Sequence, residues 1–158
     1  MYKNHLDLHD IRIGDWVQEY SEITGKLSIP MFVSAIFTDG TIYLDFNGNE
    51  GDVWESNIED IAPIRIEEDV MKGFGFEFDI RGFKLSIEDS HIYIHKFQQN
   101  FNKRFFQIGE NVSLFNKWVI QIGENVKFNT TCCYNIHDLQ HAYYKYAHKP
   151  LVLNWKGI

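Results

Sequence analysis

The most constraining feature of this chain is a series of short apolar runs with period-two alternation, cut by Asp-Gly and Asn-Gly pairs. Met31–Ile36 is followed by Asp39-Gly40, then by Thr41–Leu44 and Asn47-Gly48. Successive side chains of a strand point to opposite faces, and these dipeptides favour the tight turns that join antiparallel strands. Upstream, Ile11-Arg12-Ile13 and Trp16-Val17 flank Gly14-Asp15 and read as strand. Downstream, Trp54, Ile58, Ile61 and Ile64 continue the apolar series. Four or five short strands within about 55 residues predict a small SH3-like barrel or open sheet.

Pro63 and the charged run Glu67-Glu68-Asp69 mark a boundary. Acids ahead of Val70-Met71-Lys72, with Gly73 as a stop, predict one short helix. Phe74, Phe76 and Phe78 then alternate, as do Phe83–Ile87 and Ile92–Ile94, and a second antiparallel sheet is expected there. The hexapeptide Gln107-Ile108-Gly109-Glu110-Asn111-Val112 recurs as Gln121-Ile122-Gly123-Glu124-Asn125-Val126, which reads as a duplicated hairpin over 104–128. The spacing of Phe97, Phe101 and Phe105 fits a helical stripe as well as a strand.

A clearer helix spans 136–148. Asn135 suits its N-cap and Asp138 its first turn, and Pro150 stops it. Its expected buried stripe is Ile136, Leu139, Tyr143, Tyr146 and Ala147. Leu151-Val152-Leu153 reads as a last strand pairing back into the sheet. The fold class expected is therefore α+β and mainly antiparallel β. A barrel-like unit occupies 1–66, and a sheet with one helix occupies 67–158.

No apolar run approaches the roughly 20 residues of a membrane span. The opening Met1–His5 lacks a signal-peptide core. The only cysteines are the neighbours Cys132 and Cys133, which are poor staples. These features lead us to expect a chain of the reducing cytoplasm.

Net charge is −7, and its layout is uneven. Residues 1–90 hold 19 acids against 7 bases, whereas 91–158 hold 3 against 8. In the first half, Asp45, Glu50, Asp52, Glu55, Glu59 and Asp60 crowd one segment, an acidic surface suited to a basic partner protein. In the second half, bases alternate with rings. Lys103, Arg104, Lys117, Lys127, Lys145 and Lys149 are the candidate contacts to nucleic acid, RNA above all.

Catalytic signatures are missing: there is no nucleophile elbow and no phosphate-binding glycine loop. One cluster has metal-ligand chemistry. His137 and His141 lie four apart on one helical face, with Cys132 and Cys133 just before it, a nitrogen and sulfur set that zinc favours. The spacing matches no standard zinc motif, so no cofactor is expected.

Several stretches carry a likeness to a known group. They are Asp10-Ile11-Arg12-Ile13-Gly14-Asp15-Trp16-Val17, Ile58-Glu59-Asp60-Ile61-Ala62-Pro63-Ile64, Gly73-Phe74-Gly75-Phe76, and Ile136-His137-Asp138-Leu139-Gln140-His141-Ala142-Tyr143-Tyr144. Together they resemble a family of small phage and prophage proteins of Bacteroidetes-type bacteria. The likeness covers both ends and omits about residues 96–130. Arg65-Ile66, the repeat and the His-rich helix depart from the family pattern. The resemblance implies a mobile-element setting and a non-catalytic interaction protein. Its most concrete form is an inhibitor of a host defence nuclease that binds a CRISPR effector or its guide RNA. A metal-dependent enzyme on the His137–His141 helix and a structural phage protein are the alternatives.

Overall fold

The computed structural model describes residues 6–47, 51–80, 82–87, 90–96, 118–122 and 131–157. The repeat over 104–128, apart from residues 118–122, and the Phe97–Phe101–Phe105 stripe lie outside these described residues.

The first sheet comprises β1 (Trp16–Ser21), β2 (Lys26–Leu27), β3 (Met31–Ile36), β4 (Thr41–Asp45), β5 (Trp54–Asn57) and β6 (Ile61–Pro63), with a 3₁₀ turn, Ile58–Asp60, before β6. Every pairing is antiparallel. β1 pairs with both β3 and β6, so the first and last strands of the unit meet and the sheet curls into a barrel-like shape. Val17, Val33, Ile42, Leu44 and Ile61 fill it. Alternation does the sorting: Val17 points into the barrel, while Trp16 points out of it.

α1 (Glu68–Gly73) leads to the second sheet, which runs β11 (Thr131–Cys133), β10 (Trp118–Ile122), β9 (Ser90–Lys96), β8 (Gly82–Ile87) and β7 (Glu77–Asp79) in spatial order. Phe83, Ile92, Ile94 and Ile120 form its inner face, against which α2 (Ile136–Ala147) packs. Trp16 from the barrel belongs to this second core, together with Ile64 and Ile66. A short antiparallel seam joins the sheets: Ile66 N–H donates to Tyr134 O at 3.1 Å, and Ile136 N–H to Ile64 O at 2.8 Å. Among the described residues no helix is long and apolar enough to cross a membrane.

The α+β, mainly antiparallel class stands, and four local expectations do not. Ile11-Arg12-Ile13 is a turn, not strand. Asp15 organises it by accepting from Arg12 N–H, and this leaves Ile13 outside. Phe74, Phe76 and Phe78 do not share one strand. Gly75 turns the backbone at φ +88°, which buries Phe74 and Phe76 and leaves only Phe78 in β7, exposed. On α2 the buried set is Ile136, His137, Leu139, Gln140 and Tyr143. Tyr146 is exposed, because the helix turns the face holding Gln140 toward the barrel, where polar partners wait. Finally, residues 151–153 enter no sheet. Side chains rather than a neighbouring strand take the carbonyls of Leu151 and Leu153.

Candidate binding groove

Three pieces of chain supply most of the lining of an open groove of about 1310 Å³, the turn Arg12–Trp16, one face of α2 and residues 150–154, and Phe32 and Asn47 complete it. The turn is fixed to β3 by two backbone bonds, Gly14 N–H to Val33 O at 2.8 Å and Val33 N–H to Asp15 O at 2.9 Å. Asp15 is buried at the groove floor. Its Oδ2 accepts from Arg12 N–H at 2.8 Å and from His141 Nε2 at 2.6 Å. A carboxylate only accepts, so His141 carries its proton on Nε2.

Gln140 makes the second tie. Its Oε1 accepts from Trp16 N–H at 2.9 Å, and its Nε2 donates to Gly14 O at 2.9 Å and to Leu151 O at 3.5 Å. Trp16 Nε1–H donates to Leu153 O at 3.1 Å. One glutamine thus connects the barrel, the helix and the tail.

α2 can present these groups because its ends are well made. Asp138 Oδ2 accepts from Tyr134 N–H and Asn135 N–H, completing a capping box with Asn135. At the far end His148 takes a left-handed conformation, φ +56°, and its N–H closes on Tyr144 O. Pro150 then starts the tail in a new direction.

The rim differs from the floor. Ile13 is 70 % exposed, Val152 75 % and Tyr144 48 %, which is a large apolar share for one edge. Arg12 lies over the Tyr144 ring, 5.9 Å from its centroid, and Lys145 stands beside it. The rim is therefore apolar and cationic in a chain of net charge −7.

His137 is buried behind the groove. Its ring meets His141 edge-on at 5.6 Å, and its Nε2 is 3.6 Å from Asp138 Oδ1. Its Nδ1 is buried with no hydrogen-bond partner among the described residues. Burial holds its pKa below the ordinary histidine value, and the Asp138 charge opposes this only in part.

Asp15 and His141 are arranged as an oriented acid–base pair, but no serine, threonine or cysteine is among the described residues that line the groove. Among the described residues no three His, Cys, Asp or Glu side chains converge as metal ligands. Cys133 is buried in the sheet core and is not among the described residues that line the groove.

The sequence candidates fall in different places. Asp45 is buried: Oδ1 accepts from Phe46 N–H and Oδ2 from Gly51 N–H, so its carboxylate is used within its own loop. Asp52 precedes β5 and Glu59 and Asp60 follow it, which puts them at opposite ends of that strand, roughly 10 Å apart. Glu55 and Glu59 are exposed, and Asp60 is half-buried. Glu50, Lys103, Arg104, Lys117 and Lys127 lie outside the described residues. Lys145 is on the groove rim, and Lys149 is exposed just past the helix. Arg12, Asp15 and Gln140 were not among the candidates. One signal pointed to Gln140: it sits one turn from Ile136, within the apolar face of the helix, where a polar side chain needs a partner.

Compared with known proteins, the chain matches no family model, no curated protein and no solved structure.

Proposed function

We propose that this chain is a non-catalytic binding protein of a phage or mobile element. In this reading it inhibits a nuclease-based defence of the bacterial host, in the host cytoplasm, by binding the effector through the groove. One observation carries the binding reading. The groove joins an exposed apolar rim and two cations, Arg12 and Lys145, to a floor whose polar groups are already tied to one another. A rigid floor under an apolar, charged rim is the anatomy of a protein-contact surface. The mobile-element setting rests on the resemblance of the two ends of the chain to the phage family.

The test is plasmid interference. A bacterium with a nuclease-based defence is transformed with a targeted plasmid, with and without this chain expressed. Restored transformation is expected. Arg12→Glu combined with Lys145→Glu should remove the effect while leaving the circular dichroism spectrum unchanged. If the wild-type chain restores nothing, the inhibitor reading fails. If the double variant restores as much as wild type, the groove is not the contact.

A further inference from the structure

Residues 150–154 have the layout of a strand and lack a strand partner. Burial alternates residue by residue: Leu151 and Leu153 face the core, and Val152 and Asn154 face out. In an extended chain the backbone groups of residues i and i+2 point to one edge, and those of i+1 and i+3 to the other. The carbonyls of Leu151 and Leu153 accept from Gln140 and Trp16, so that edge faces the body of the protein. The opposite edge belongs to the N–H and C=O of Val152 and Asn154. Among the described residues nothing hydrogen-bonds to them. Both residues line the groove.

We propose that this free edge pairs with an extended peptide segment of a partner protein, which supplies the strand that residues 150–154 lack. The inference rests on the groove reading and adds its mode, β-strand addition. The surroundings define the occupant. Arg12 and Lys145 on the rim call for carboxylates, while Ile13, Tyr144 and Val152 call for apolar side chains. The two local acids do not oppose this: Asp15 is paired with His141, and Asp138 Oδ2 caps the helix. An extended peptide alternates its side chains between two faces. The matching segment therefore alternates apolar and acidic residues.

The probe is acetyl-Val-Glu-Val-Glu-Val-Glu-amide, titrated into the isotope-labelled full chain and followed by NMR. Two control peptides accompany it: the same sequence with N-methyl groups on every residue, and one with lysine for glutamate. The acidic peptide should shift the resonances of Arg12, Tyr144 and Lys145 and slow amide exchange at Val152 by at least about tenfold. The N-methylated peptide, which cannot pair along that edge, and the lysine peptide should both fail to bind. Val152→Pro removes the amide donor yet suits extended backbone, and should weaken binding by about tenfold, the worth of one well-made hydrogen bond. Asn154→Pro is the second variant should the first perturb the tail.

If groove resonances shift but Val152 exchange does not change, or if the N-methylated peptide binds equally well, strand addition is wrong and the groove reading stands. If millimolar acidic peptide shifts nothing, strand addition is wrong, and the interference assay alone decides the groove reading. Groove shifts that grow with protein concentration without peptide would make a second copy of this chain the occupant and overturn the proposal.

Discussion

Replacing Gln140 by methionine tests the central tie. Methionine has nearly the same length and volume, so packing is kept and only the hydrogen bonds are lost. Gln140 and Trp16 are both buried. The Trp16 N–H would be left without an acceptor, at a cost of about 1–3 kcal/mol. Gly14 is exposed, so water can replace the lost donor to its carbonyl, and that bond adds only about 1 kcal/mol. The contact to Leu151 O is at the limit of bonding distance, 3.5 Å, and adds little. The sum is about 2–4 kcal/mol, a large share of the ~5–15 kcal/mol that holds a domain together. Urea unfolding, read by tryptophan fluorescence and circular dichroism, is the assay. With a slope near 2 kcal/mol per molar, the midpoint should fall by about 1–2 M. Lys145→Met, on the exposed rim, is the control and should stay within about 0.5 kcal/mol of wild type. If Gln140→Met moves the midpoint no more than the control does, Gln140 is a bystander, and the seam is held by apolar contact alone.

Other outcomes follow from single residues. His137 is held neutral by burial, with its folded pKa below the 6.5 of the free side chain. As pH falls through 6.5 the unfolded chain takes up a proton that the folded one refuses, so stability drops on acidification, by up to about 1.4 kcal/mol per pH unit. His137→Leu should flatten that part of the urea-midpoint curve relative to wild type, and parallel curves would contradict the assignment. Gly82→Ala places a Cβ 2.1 Å from the Ile94 carbonyl oxygen, at φ +139°, so the β8–β9 pairing must shift. A loss of at least about 2 kcal/mol is expected from thermal unfolding, and an unchanged midpoint would refute the close approach. Asp15→Asn keeps the shape but removes the charge. It should speed the exchange of the Arg12 amide and, unlike Lys145→Met, lower stability by about 1–2 kcal/mol.

The sheets were readable because their information is local. Met31–Ile36, Thr41–Asp45 and Gly82–Ile87 alternate, and the turns between them carry their own residues. The helix was readable from Asn135, Asp138 and Pro150. The errors lie where a side-chain contact that apolar alternation does not encode decides. Ile11-Arg12-Ile13 has strand composition, but the Asp15 carboxylate pulls the backbone into a turn. Leu151–Leu153 has strand alternation, but Trp16 and Gln140 occupy the carbonyls that a neighbouring strand would use. The groove depends on the same long-range contacts. Asp15 with His141, and Trp16 with Gln140, meet across more than a hundred residues, and no local pattern marks Asp15 as a buried acid.

The placement of Trp16 in the second core has a consequence for how the chain is made. During synthesis the barrel strands leave the ribosome before residues 140–153, yet their opening residue has nothing to close on. The Trp16 amide waits for residue 140 and its indole for residue 153. Until then the barrel carries a large bare ring and an unmet donor, and contacts over such separations form slowly. Residues 140–153 therefore act as a latch on Trp16. The barrel can pair its strands early, but it reaches its final stability only when that segment has been delivered.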